Sequence, residues 1–328
     1  MKDILISLQY ILGCACFIYS IISNAAFNTI VIEQQASTSI KKLYHRLNSM
    51  PNTSMVNRID WISNQFKGTD YLLGSLGEGP SARYDQFPSY RVDAFDCDTY
   101  VNTVIALALA DSLTSFQHCL KDLRYKDGKM SYINRNHFTS IDWNINNQKK
   151  GILKDITVNI HNQQNKSVAL FATTIIDKSN WYAYKTKDAI RLQKENRLKQ
   201  EQFLDELKSK TRHLNHTPSD LPYIPFTALF PQNNVPDLYL FSQIPSGAII
   251  EIVRPNWNLR EVIGTSLNVS HLGFAIWHDN VLYFREASSQ YGKVVDVPLI
   301  TYLKNARASK TIKGINVQII LPKKTINS

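Results

Sequence analysis

Cys97, His271 and Glu286 are the residues whose types and spacing suggest covalent catalysis. Cys97 lies in residues 95–112, FDCDTYVNTVIALALADS, at the first turn of a predicted apolar helix. Asp96 is a good N-cap, so unpaired backbone N–H groups point outward around the cysteine. The positive end of the helix dipole favours the thiolate, which is the nucleophilic form. Asp96 and Asp98 oppose that effect, so the thiol needs a cationic partner. On the helix alone, a buried structural cysteine would be the simpler reading.

The partner is predicted on a strand at residues 269–277. There His271, Gly273, Ala275 and Trp277 share one face, and Leu272, Phe274 and Ile276 share the other. Gly273 leaves room beside the histidine for another element, with the start of the Cys97 helix as the candidate. Asp279-Asn280 has the composition of a two-residue hairpin turn. That register sets Gly273 opposite Glu286 and His271 opposite Ser288, which makes Glu286 a diagonal neighbour of the imidazole. The chain thus supplies a nucleophile at a helix start, a base on a strand and an orienting carboxylate on the next strand. The backbone N–H of Cys97 is available for an oxyanion hole.

Elements positioning these residues follow from the pattern. Residues 38–50 and 54–66 read as helices, the second with an apolar face of Val56, Ile59, Ile62 and Phe66 and a stop at Gly68. Residues 67–80, KGTDYLLGSLGEGP, form a glycine-rich loop without the Gly-Lys-Ser/Thr of a phosphate-binding loop. Thr114 or Ser115 caps a further helix, and Asp127-Gly128 turns into a strand predicted over 129–138. His137 in that strand reads as a structural histidine. Strands are expected at 156–160 and 168–176, a charged helix at 189–210 and an extended proline-rich connection at 218–236. From 247 onward, short β-rich segments follow one another, at 248–253, 269–277, 281–287, 294–297 and 315–321. Helices first and strands afterwards predict an α+β fold with a mostly antiparallel sheet.

The 328 residues carry 37 basic and 27 acidic side chains, a formal net charge of +10. Such a balance suits a polyanionic partner, and the lack of a basic run or nucleic-acid motif argues against nucleic acid. Residues 1–25 read as a secretory signal, with Lys2, an apolar stretch over 4–22 and Ser23-Asn24-Ala25 as cleavage site. An uncleaved anchor is the competing reading of this apolar run. The remainder, 26–328, is expected as a single periplasmic or secreted domain with an insertion around 151–217. Removal of Cys14 and Cys16 with the signal would leave Cys97 and Cys119, for which a disulfide competes with catalysis.

Phe95-Asp96-Cys97, Gly68-x-x-Tyr71, His271-Leu272-Gly273-Phe274 and Glu286-Ala287-Ser288 together resemble NlpC-type cysteine peptidases. RYKDGKMSYINRNHFTSIDW and IPSGAIIEIV resemble more narrowly their N-acetylmuramoyl-L-alanine amidase-like branch, the likeness spanning residues 54–297. That resemblance implies a papain-like core and hydrolysis of a peptidoglycan amide by a monomeric enzyme, without metal or cofactor. Cys97 matches the nucleophile and His271 the base. Tyr71 and Asp96 match positions that hold the stem peptide. The family commonly has histidine where this chain has Glu286, and a small Ser or Thr where it has Asp98, which adds Asp98 to the candidate substrate contacts. The expected bond is the one between N-acetylmuramic acid and L-alanine. Alternatives are a D-glutamyl–diamino acid endopeptidase using the same site, and an inactive wall-binding protein.

Overall fold

Each helix in the first part of the chain starts at a side chain that accepts a first-turn N–H. In this computed structural model, which describes residues 28–50, 54–232 and 235–322, the caps are Asn28, Ser54, Asp96 and Ser112. They open α1 (Thr29–Asn48), α2 (Met55–Asn64), α3 (Cys97–Leu109) and α4 (Leu113–Arg124). The expected signal segment lies outside the described residues, as do Cys14 and Cys16. Among the described residues no helix is long and apolar enough to cross a membrane. α1 starts earlier than its pattern suggests, and Val56 on α2 is exposed rather than inward. The predicted apolar helix forms as α3, and every side chain from Thr99 to Ala108 is buried. It is the central helix, covered on all sides.

Strands run β1 (Asp70–Tyr71), β2 (Ala94–Phe95), β3 (Leu153–Asp155), β4 (Leu170–Asp177), β5 (His216–Pro225) and β6 (Ala248–Leu259), then β7 (Thr265–His278), β8 (Val281–Ser288), β9 (Lys293–Pro298) and β10 (Gly314–Ile320). They form one sheet in the order β2-β1-β9-β8-β7-β6-β10-β5-β4, with β3 beside β10. Only β1 and β2 pair parallel; the others are antiparallel, so the fold is α+β with a mostly antiparallel sheet. Two cores flank the sheet. Ile249, Leu272, Phe274, Ile276, Ala287 and Val294 pack with α1–α4. Ile250, Ile252, Ala275, Leu282 and Phe284 pack on the opposite side with α7 (Leu299–Ala306). The alternation of sides along β7 follows the strand's period of two.

Between these parts, residues 178–211 add α5 (Lys178–Ala183) and α6 (Arg197–Thr211). Their aromatic and aliphatic side chains Tyr182, Phe203 and Leu207 join Tyr84 and Tyr132 in a separate core. Three predicted elements differ. Residues 129–138 are irregular, with an isolated β-bridge between Tyr125 and Arg135 in place of a strand. Residues 157–159 form a 3-10 turn instead of a strand. The proline-rich connection begins as β5, a strand paired residue for residue with β4. Pro218 and Pro222 stand opposite Ile175 and Phe171, and being four apart they lack a donor toward the same neighbour.

Candidate active site

Asp96 shapes the start of α3. Its Oδ1 accepts the Thr99 N–H at 2.8 Å, while Thr99 Oγ1 accepts the Asp96 N–H at 2.9 Å, a capping box. Asp96 Oδ2 accepts the Gly74 N–H at 2.7 Å, which ties the glycine-rich loop to the helix. Tyr71 lies on β1, whose pairing to Ala94–Phe95 and to β9 carries that loop to the same end of α3. The loop is therefore a structural support, consistent with its lack of a phosphate-binding pattern.

Cys97, half-buried, is the first residue of α3. Cys119 is buried in the helical core, and neither it nor Cys97 is in a disulfide, so the competing bridge is not formed. On β7, the residue Ser270 is unpaired: Ile252 faces His271 and Val253 faces Val269. Such a bulge re-aims the adjacent side chain, here the imidazole. The hairpin forms in the predicted register, with Phe274 opposite Arg285 and Asp279 and Asn280 both at positive φ, 46° and 63°. His271 Nε2 bonds Glu286 Oε2, and the imidazole also interacts with the Cys97 thiol by charge and hydrogen bond. Burial disfavours the imidazolium, but the Glu286 carboxylate and Cys97 outweigh it and push His271 up to about 10.

Gly273 makes room for something other than the helix. A Cβ there would lie 2.7 Å from the Arg285 carbonyl oxygen and 2.7 Å from the Phe284 ring. That ring stands edge-on to His271, with centroids 5.7 Å apart. Beside Glu286, the buried Arg285 fixes β8: its guanidinium binds Asp296 through Nε and Nη2 at 2.6 and 2.9 Å, and Asp60 Oδ1 at 2.9 Å.

Asp98 is half-buried next to the nucleophile. Asn102 Nδ2 donates to its Oδ1 at 3.0 Å, and Trp143 Nε1 donates to Asn102 Oδ1 at 2.8 Å. Burial and the Asp96 charge, against Arg124 and Arg135, push Asp98 up to about 7. Asn102 was not among the sequence candidates, although its position one turn after Asp98 is a signal for such a bond. Equally unforeseen is a buried ion-pair network behind the loop. Arg135 binds Glu78 and Asp85, and Arg191 binds Asp85 and the carbonyls of Gly74 and Leu76. It links residues too distant in sequence for any local pattern to pair them.

His137 is apart from this constellation. Its Nε2 bonds the Tyr132 carbonyl at 2.7 Å, and its ring lies 4.7 Å from Trp181. Burial, Arg135 and Lys185 hold it well below the usual histidine range, in keeping with a neutral structural ring. Among the described residues no group of three or more His, Cys, Asp or Glu side chains is placed to hold a metal ion.

Residues 61–312 match the AmiA-like family model, described as N-acetylmuramoyl-L-alanine amidase-like. A crystal structure of a Legionella pneumophila protein of the DUF1460 family is 65% identical, with a TM-score of 0.88, over 90% of this chain and 97% of that one. An N-acetylmuramoyl-L-alanine amidase from Bacteroides uniformis shares the fold at 24% identity and a TM-score of 0.55, over 81% of this chain and 98% of that one. No curated protein matches.

Proposed function

We propose, since the chain belongs to the N-acetylmuramoyl-L-alanine amidase-like family, that it hydrolyses the amide between N-acetylmuramic acid and L-alanine by a thiol mechanism. The observation that carries this reading is His271 interacting with both Glu286 and the Cys97 thiol at the start of α3. The Cys97 thiolate attacks the lactyl carbonyl of the muramoyl group. The oxyanion that forms is met by the Cys97 backbone N–H at the positive helix end. The His271 imidazolium gives its proton to the departing L-alanine nitrogen, and the C–N bond breaks to leave a thioester. Neutral His271 then takes a proton from water, whose oxygen attacks the thioester and releases the muramoyl carboxylate and the thiol. Glu286 holds the imidazole in the tautomer this cycle needs.

A papain-like, NlpC-type organisation belongs to the same proposal, as does export by a signal in residues 1–25 to reach peptidoglycan. Both oxygens of Asp96 are committed to the helix cap and to Gly74. That disfavours the endopeptidase reading, which would use Asp96 to hold a free L-alanine amine. Mass spectrometry of products from defined muropeptides decides. Free stem peptide beginning with L-alanine is the expected product. Disaccharide still carrying L-alanine and D-glutamate would establish the endopeptidase, and no product from intact sacculi would leave a wall-binding protein.

A further inference from the structure

Lys185 follows α5, and its ammonium sits 3.5 Å above the Trp181 ring centroid. It is half-buried, yet among the described residues it has no carboxylate partner and its side chain makes no hydrogen bond. Its surroundings are cationic or already paired. Arg135 repels it, Lys178 is bound to Asp142, and His137 is held neutral. The other basic groups of this region have their anions: Arg135 has Glu78 and Asp85, Arg191 has Asp85, and Lys178 has Asp142. Burying an ammonium beside another cation is costly, and an aromatic face offsets only part of that cost. Burial and Arg135 accordingly push Lys185 down to about 7.

Two lines of contact join Lys185 to the nucleophile's neighbour Asp98. In one, Trp181 meets the Phe138 ring edge-on, and Trp143, from the same stretch of chain, donates to Asn102, which in turn holds Asp98. In the other, Trp181 meets His137, His137 meets Tyr132, and Arg135 lies 4.9 Å over Tyr132 with its charge felt at both Asp98 and Lys185. We propose that Lys185, backed by Trp181, is a substrate-binding residue that pairs with a carboxylate of the peptidoglycan stem peptide. This inference rests on the peptidoglycan reading of the site. A bound carboxylate supplies the missing anion, and the aromatic floor shields the pair from water, where an ion pair gains most.

Muropeptides that differ only in whether their stem carboxylates are free or amidated provide the test. The wild-type enzyme is expected to favour the free acid by about tenfold or more in kcat/KM, the scale of one charge-assisted hydrogen bond. Lys185→Gln should lose that preference through KM, its kcat/KM on the free acid falling to the level of the amidated substrate, and Lys185→Arg should retain part of it. Calorimetric binding of both muropeptides to Cys97→Ser, with and without Lys185→Gln, reads the same contact without turnover. Binding that depends on Lys185 in a wild type that hydrolyses nothing would sink the amidase and uphold this contact. An active wild type indifferent to amidation, or a Lys185→Gln variant with an intact preference, would overturn it.

Discussion

Two histidines, each packed in an aromatic setting, show how surroundings divide one side chain into two roles. His271 meets a carboxylate and a thiol, and although burial opposes its charge it is pushed up to about 10. His137 meets the charges of Arg135, Lys185 and Lys178 within a cluster of tilted and edge-on rings, and burial and repulsion act together to keep it neutral. Desolvation is common to both. The sign of the neighbouring charge decides which ring can activate a thiol.

The sharpest way to break this contrast is substitution at the two rings and the nucleophile. Cys97→Ser and His271→Ala should each lower hydrolysis of purified sacculi by roughly 10³-fold or more, as removal of a nucleophile or base does. His137→Phe should keep turnover near wild type and lose only stability. A His137 variant as inactive as His271→Ala would erase the distinction.

Glu286 is the next test. Glu286→Ala should cost on the order of 10²-fold in kcat/KM, with Glu286→Gln between it and wild type and near-ultraviolet circular dichroism unchanged. The imidazolium that accompanies the thiolate persists until pH passes about 10, so rapid alkylation of Cys97 should be insensitive to His271 deprotonation below that. In Glu286→Gln the loss of imidazolium should move to lower pH, read by titrating the histidine by NMR. An unmoved titration would show that Glu286 does not set the base.

Cys97 and Cys119 sharpen the comparison further. Cys119 is buried in the helical core, whereas Cys97 is half-buried at a helix start beside an imidazolium. Iodoacetamide at neutral pH should label Cys97 at least tenfold faster by peptide mass spectrometry. Equal rates would return Cys97 to a packing role.

Burial without a cation, at Glu251, extends the comparison to a carboxyl and to stability. Fully buried and given only the amides of Asn144 and Gln318, its carboxyl is raised from 4.5 to about 8. The folded protein keeps this proton while the unfolded chain loses it above pH 4.5. Stability from this group is therefore complete below pH 4.5 and falls as pH rises toward about 8, by up to ~1.4 kcal/mol per pH unit. Glu251→Gln should flatten that decline in urea unfolding measured across the same range. An identical slope in the variant would refute the protonated carboxyl.

How far these features were legible depended on whether the determinant was local. Asp96 capping a helix at Cys97 is a local rule, as is the Asp279-Asn280 turn, and from that turn the register of Glu286 follows. Residues 129–138 misled because Arg135 is drawn to Glu78 and Asp85, partners far back in the chain that no alternation encodes. β5 was hidden by prolines that suit a ladder only because of where β4 and β10 lie. Gly273 suggests space for a helix when only the sequence is considered, whereas the atoms it admits, the Phe284 ring and the Arg285 carbonyl, sit in the neighbouring strand. Asp98 was visible as an oddity, but its Asn102–Trp143 support required the packing of Trp143 against α3.

More than half the chain separates Cys97 from His271, and that spacing has a consequence during synthesis. At the pace of a ribosome, the cysteine emerges on the order of ten seconds before the strand that bears its base. α3 can gather its apolar neighbours from α1, α2 and α4 in that interval, all of them earlier or close by in sequence. β7, β8 and the β9 contact to β1 must wait for the distal third of the chain. The nascent helix therefore carries an ordinary thiol, and reactivity arrives only when the sheet closes. A ribosome-stalled chain ending before residue 271 should show Cys97 reacting with iodoacetamide no faster than a free cysteine, the increase appearing only in chains long enough to present β8.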